Sequence, residues 1–353
     1  MRKWKFVKTV LSKMFIIGFS KQMKFKKLPF IIGEVASAHE GNHINAVKIA
    51  KQAFKAGADA VKFQIFKCQK LMSKKNPLYK KFKKFEISQD NWVKIFKQFK
   101  MNQCLVAEIF DIDSLIFADK QKIFKIYKLP STCLNNKEML NFLSKVNKPV
   151  IIAAGGATLE EIDYAFKKLK RTKKDIIIMA GFQNFPTKIE DSNLNKIPLI
   201  REAFKTEIGY ADHIDSNQIL YSFSIPLMAY TLGAKVIEKH ITLNRKEKGT
   251  DYYSSLDPDE FKQFVDFLKK SHKAFSENKW DLTNAELKYR KFNKTFAVAK
   301  TNLFKGHKIK SKDLLFKRTN KTGITADQFA TYIGKILKKN KFIDEIILPK
   351  ELK

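Results

Sequence analysis

From Phe30 onward, short apolar, β-branched runs alternate with stretches whose apolar residues recur every three or four positions. The runs fall at 30–35, 60–66, 104–110, 123–129, 150–154, 176–179, 207–210 and 236–239. Strand-type runs separated by helix-period segments predict repeated β–α units and a parallel sheet. About eight such units over about 250 residues match a (β/α)8 TIM barrel. The segment 45–56 shows the helical half of the pattern, with Ala46, Ile49, Ala50 and Ala53 on one face and a stop at Gly57. The last helix opens at Asp257-Pro258-Asp259-Glu260, an N-cap, a first-turn proline and acidic residues. Its stripe is Phe261, Phe264, Val265 and Leu268.

The rhythm breaks after Phe275. Residues 276–291 are polar and read as a linker. Residues 292–353 carry short β-type runs at 295–299, 308–309, 314–317 and 342–348. This predicts a small β-rich module behind a barrel domain at 29–275. Residues 1–28 form a basic extension whose apolar part, 14–19, is shorter than a signal-peptide core and lacks a cleavage site. It reads either as a basic amphipathic segment at a membrane surface or as residues ahead of a true initiator at Met14 or Met23.

The 353 residues include 69 Lys and Arg against 35 Asp and Glu, a formal net charge of +34. Arginine occurs only at positions 2, 171, 201, 245, 290 and 318, and the lysines are spread through every segment. Nucleic-acid readers concentrate their basic residues and favour arginine forks, so the excess reads as a solvated lysine coat and no specific nucleic-acid partner is expected. No run approaches the roughly 18 apolar residues of a membrane span. Cys68, Cys104 and Cys133 have no metal-type spacing, which suits a reducing, cytoplasmic setting. Phosphate-loop, Rossmann and serine-hydrolase elbow patterns are missing.

In a barrel of this kind, chemistry gathers at the C-terminal ends of the strands. Polar residues expected there are Glu34 on the first strand, Lys62 and Gln64 on the second, and Lys128 followed by Ser131 on the fourth. Gln183 and Asn184 follow the sixth, Asp212 and His213 close the seventh, and Glu238, Lys239 and His240 lie on the eighth, with Asp251 beyond. A buried lysine needs an anion. Lys62 and Lys128 either pair with carboxylates such as Glu34 or Glu108, or meet an anionic ligand, and two lysines at one barrel end favour the ligand. His213 and His240 follow adjacent strands, where two imidazoles can share a divalent metal and leave positions open for substrate. His39 either orients the first loop or contacts substrate.

The stretch IIGEVASAHEGNHINAVKIAKQAFKAGADAVKFQIFK resembles the opening signature of the N-acetylneuraminate (sialic acid) synthase family. IYKLPS is similar to that family's YKIGS strand, FPT to YPT, IGYADH to GLSDH, and VIEKHITLNRKEKGTDYYSSLDPDEF to its IExHFT…SLxPxEF segment. The final segment, with AKTNLFKGHKIKSKDLLFKR, resembles the antifreeze-like (SAF) module fused to those barrels. The resemblance implies metal-dependent condensation of phosphoenolpyruvate with an N-acyl amino sugar, N-acetylmannosamine or a related hexosamine, giving a nine-carbon sialic-acid-like acid and phosphate. It implies that His213 and His240 hold Mn2+ or Mg2+, that Lys62, Lys128 and Ser131 hold phosphoenolpyruvate, and that Glu34 acts near the carbonyl and attacking water. Gln183, Phe185 and Asp251 would contact sugar or order the site. Arg318 would reach a partner's barrel in a domain-swapped homodimer.

The sequence also departs from that pattern. Ala38 stands where the family has Asn, Ala153 and Ala211 where it has hydroxyl residues, Glu108 in place of another hydroxyl, and Cys133 in place of Glu. Each lost charge-assisted hydrogen bond is worth about 1.5–3 kcal/mol, so these changes weaken a phosphate site. The alternative is a non-catalytic sugar-binding relative that has lost phosphoenolpyruvate binding.

Overall fold

The computed structural model describes residues 28–171, 175–275 and 281–353, which divide into two units between Phe275 and residue 276. The basic extension lies almost wholly outside the described residues. Among those described, no helix is long and apolar enough to cross a membrane.

The first unit is a closed eight-stranded parallel barrel. Its strands are β1 (Phe30–Glu34), β2 (Ala60–Ile65), β3 (Leu105–Ile109), β4 (Phe124–Leu129), β5 (Val150–Ala153), β6 (Ile176–Gly181), β7 (Glu207–Asp212) and β8 (Ala234–Ile241). Each pairs with the next, and β1 pairs with β8 to close the ring. The two-residue β9 (Ser255–Leu256) adds alongside β8. The chief outer helices are α1 (His43–Lys55), α4 (Gln89–Phe96), α5 (Ile112–Lys120), α6 (Lys137–Lys145), α7 (Leu159–Lys170), α8 (Lys196–Phe204), α9 (Ile219–Thr231) and α10 (Pro258–His272). Two short helices, α2 (Cys68–Leu71) and α3 (Tyr79–Phe85), fill the long connection after β2.

The two-residue period of each strand builds the barrel in layers. Outward residues such as Ile31, Phe63, Tyr127, Ile178 and Ile237 join the helices in the main core. Inward residues Ile32, Ala60, Val106, Ile126, Ile151 and Val236 form an apolar plug. Two positions further along the same faces stand Glu34, Lys62, Glu108, Lys128, Ala153 and Glu238. The alternation that closes the barrel bottom with hydrocarbon therefore puts an ionic layer directly above it.

Helix starts follow local chemistry. Asn42 caps α1 by accepting from Ile44 N and Asn45 N. Thr158 with Glu161 and Asp257 with Glu260 form capping boxes on α7 and α10, and Pro258 takes the first turn of α10.

The second unit has its own apolar core, including Ala297, Leu303, Ile309, Ile324, Leu337 and Ile347. It contains α11 (Asn284–Asn293), an antiparallel pair β10 (Thr295–Ala299) and β11 (Leu314–Arg318), and α12 (Ala326–Phe329). Two expectations change here. The stretch expected as a linker contains most of α11, started by a Thr283–Glu286 capping box, and this helix buries none of its residues. The run at 342–348 is no regular strand, although it meets β10 through the Val298–Ile346 bridge and three backbone hydrogen bonds to Ala297 and Ala299.

Candidate active site

A chamber of about 390 Å³ opens at the C-terminal end of the barrel strands. Lys62, Lys128, Ser131, Gln183, Phe185, His213, His240 and Asp251 all line it, together with Gln64, Phe82, Glu108, Phe110, Thr132, Ala153 and Glu238. Glu34 is fully buried and does not line it. Arg318 stands exposed at the end of β11 in the second unit.

Two lysines and two carboxylates, Glu108 and Glu238, form the chamber floor, with Glu34 buried against Lys62. Register sets Glu34 beside Lys62 and Glu108 beside Lys128 on neighbouring strands. Lys62 Nζ contacts Glu34 and lies 2.6 Å from Glu108 and 2.7 Å from Glu238. Lys128 Nζ is 2.8 Å from Glu238 and 3.5 Å from Glu108. The lysines thus pair with carboxylates, as the first of the two readings had it, and they also line the open chamber. Burial works against both charges in the Lys128–Glu238 pair, yet the partners outweigh it. Glu108 and Glu238 hold the Lys128 ammonium above its ordinary value, and the two lysines hold the Glu238 carboxyl far below its own.

The two histidines converge in the same chamber. Their ring centroids are 5.2 Å apart. His213 Nδ1 lies 2.7 Å from the Phe182 carbonyl, which can only accept, so Nδ1 carries the proton and Nε2 keeps its lone pair. The His213 carbonyl accepts from Thr187 N and Ser254 Oγ, each at 2.8 Å, which fixes the residue from both sides. Burial lowers His213 to about 4 and takes His240 well below its ordinary value. Both rings are therefore neutral at pH 7, as metal ligands must be. Among the described residues, buried His240 Nδ1 has no hydrogen-bond partner. The pair thus fits an open two-histidine site. Among the described residues no group of three or more His, Cys, Asp and Glu is arranged to hold a metal, so the remaining ligands would be water or substrate.

Loops complete the walls. Phe185, before a cis proline, packs edge-on against His213 at 4.4 Å and His240 at 5.8 Å. Gly155 makes room for Gln183: a Cβ there would lie 2.9 Å from Gln183 Cγ. Asp251 Oδ2 accepts from Ser37 N, and Glu40 Oε1 accepts from Thr250 N and Oγ1, so the first and last strand-end loops are laced together. Burial raises the Asp251 carboxyl above its usual range. His39 orients rather than lines: its Nδ1 accepts from Gly41 N at 2.9 Å and its ring meets Trp92 edge-on.

Sequence reasoning placed Glu238 among the strand-end polar residues but gave it no role, although it lies two positions before His240 and so shares its face. Phe82 and Phe110 carried no signal either, because Phe82 reaches the chamber from α3, remote in sequence from the strands' ends. Cys133 is buried with its thiol toward the Phe110 carbonyl, and neighbouring Thr132 lines the wall instead. Asp212 and Lys239 pair at 2.6 Å with Ser222 of α9, fully buried and absent from the chamber lining.

A closed parallel barrel with buried lysines and a histidine pair lining one chamber at its strand ends has the layout of an enzyme of the barrel class. A family profile described as the NeuB family matches residues 49–279, and the chain belongs to that family. It is 31% identical to the N,N'-diacetyllegionaminic acid synthase of Campylobacter jejuni over 91% of this chain and 99% of that protein. It is 32% identical to a pseudaminic acid synthase of the same species, covering 78% of this chain and 82% of that one. Among solved structures, the N-acetylneuraminic acid synthetase of Leptospira borgpetersenii superposes with a TM-score of 0.69 at 25% identity, covering 77% of this chain and 96% of that one. A spore coat polysaccharide biosynthesis protein E from Chromobacterium violaceum shares the fold over 92% of this chain and 99% of its own, with a TM-score of 0.78 at 20% identity.

Proposed function

We propose that the chamber condenses phosphoenolpyruvate with an N-acyl amino sugar, N-acetylmannosamine or a related hexosamine, to give a nine-carbon nonulosonic acid and inorganic phosphate. The observation that carries this reading is that a buried lysine pair and two converging imidazoles line one chamber at the strand ends. The names of the relatives, synthases of legionaminic, pseudaminic and N-acetylneuraminic acids, support the same class of product.

In this reading Lys62, Lys128 and Ser131 clamp the donor's charged groups, and Gln183, Phe185 and Asp251 orient the acceptor sugar. C3 of the donor forms the new bond to the acceptor's aldehyde carbon, and the aldehyde oxygen gains a proton. Water adds to the donor's C2, which bears oxocarbenium-like charge, and phosphate leaves. The buried Glu34 and Glu238 carboxylates beneath the donor favour that developing positive charge. His213 and His240 would hold Mn2+ or Mg2+, which when bound polarises the aldehyde as a Lewis acid. Arg318 would complete the site from the second subunit of a domain-swapped homodimer.

The test is phosphate release from phosphoenolpyruvate by the full chain against a panel of N-acylated mannosamines and diamino sugars. Release should stop on chelation, return with Mn2+ or Mg2+, and fall by at least roughly 100-fold in His240→Ala. Turnover indifferent to chelation and to His240→Ala overturns the reading. Calorimetric binding of sugar without phosphoenolpyruvate would identify the sugar-binding relative instead.

A further inference from the structure

An anion entering the chamber meets lysine side chains that carboxylates already engage. A lysine ammonium has three N–H donors. Lys62 has three carboxylate partners, Glu34, Glu108 and Glu238, and the last two also flank Lys128. Three carboxylates thus surround two lysine amines, and Lys62 donates to Glu238 Oε1 at 2.7 Å. Neighbouring Ala153 contributes no side-chain donor.

The three carboxylates are not equally fixed. Glu34 is fully buried, and its second oxygen accepts from Ala36 N at 2.5 Å. Glu238 bridges both lysines through one oxygen. Glu108 spans the pair with its two oxygens, Oε2 toward Lys62 and Oε1 toward Lys128, as a carboxylate ligand would. Among the described residues its only charged or hydrogen-bonded partners are those lysines, and its side chain is the most exposed of the three, at 7% against 3% and 0%.

We infer that Glu108 is a resident anion that fills the lysine pair's anion seat, so that a phosphorylated carboxylate donor binds only by displacing it. Glu108 thereby sets donor affinity. The inference rests on the proposed donor class and concerns donor binding alone.

Calorimetric titration of the full chain with phosphoenolpyruvate tests it. Glu108→Gln should lower Kd at least tenfold, whereas Glu108→Asp, which keeps the charge, should stay within threefold of the wild type. An unchanged or raised Kd in Glu108→Gln, or an equal gain in Glu108→Asp, overturns the inference. Glu108→Thr repeats the comparison if the glutamine variant melts early. A crystal structure of the wild type soaked in phosphoenolpyruvate gives an independent answer. Glu108 should leave Lys62, and Glu108 still bridging both lysines beside bound donor overturns the inference. The two readings fail separately. Tighter donor binding in Glu108→Gln with no turnover on any acceptor removes the condensation and leaves Glu108's role. Wild-type turnover with unchanged donor affinity in Glu108→Gln does the reverse.

Discussion

His39 and Lys239 show how a strand-end polar residue can serve the scaffold. Burial lowers His39 from 6.5 to about 4, so between those values the unfolded chain binds a proton that the folded chain refuses. Stability therefore falls as pH drops through this window, by about 1.4 kcal/mol per pH unit and about 3 kcal/mol in all. Urea unfolding at pH 7 and pH 4 should show the wild type's advantage over His39→Gln shrinking by that amount. Lys239 leaves a different signature. Lys239→Met strands the Asp212 carboxylate in a dry interface and should cost about 3–5 kcal/mol in the same assay. Residue types alone marked Lys62, Lys128, His213 and His240 as unusual, because strand parity assigns each to a face. They also offered Glu108 as a partner, but not Glu238, which stands 176 and 110 positions from the two lysines and becomes their neighbour only when the barrel closes.

At the scale of elements, the eight barrel strands were legible from apolar runs, although β6, β7 and β8 extend further than those runs. The added residues Gly181, Asp212 and His240 are small or polar, so hydropathy ends before the hydrogen-bond ladder does. The helix α11 was hidden for the opposite reason: with no buried face it has no core stripe to read, and only its capping box marks it. The two capping boxes should answer differently to the same change. Thr158→Ala, on a helix packed through Ile162, Ala165, Phe166 and Leu169, should lower global stability by about 1 kcal/mol. Thr283→Ala should speed amide exchange within α11 and leave the barrel's urea midpoint where it is.

At the scale of the whole molecule, the +34 charge acts over distance rather than at a contact. The protein should bind any DNA at about 50 mM salt and lose at least 1,000-fold in affinity by about 200 mM, without regard to sequence. Fluorescence anisotropy with two unrelated duplexes checks this, and selectivity that survives the higher salt would contradict the reading of a lysine coat.

The lacing of Glu40 to Thr250 and of Ser37 to Asp251 orders events during synthesis. The opening strand must wait for a stretch made some two hundred residues later before its seam can seal. Closure across so long a separation is slow. A nascent polypeptide released or cleaved before Asp251 leaves the ribosome would have the lysines in hand yet no finished vessel around them.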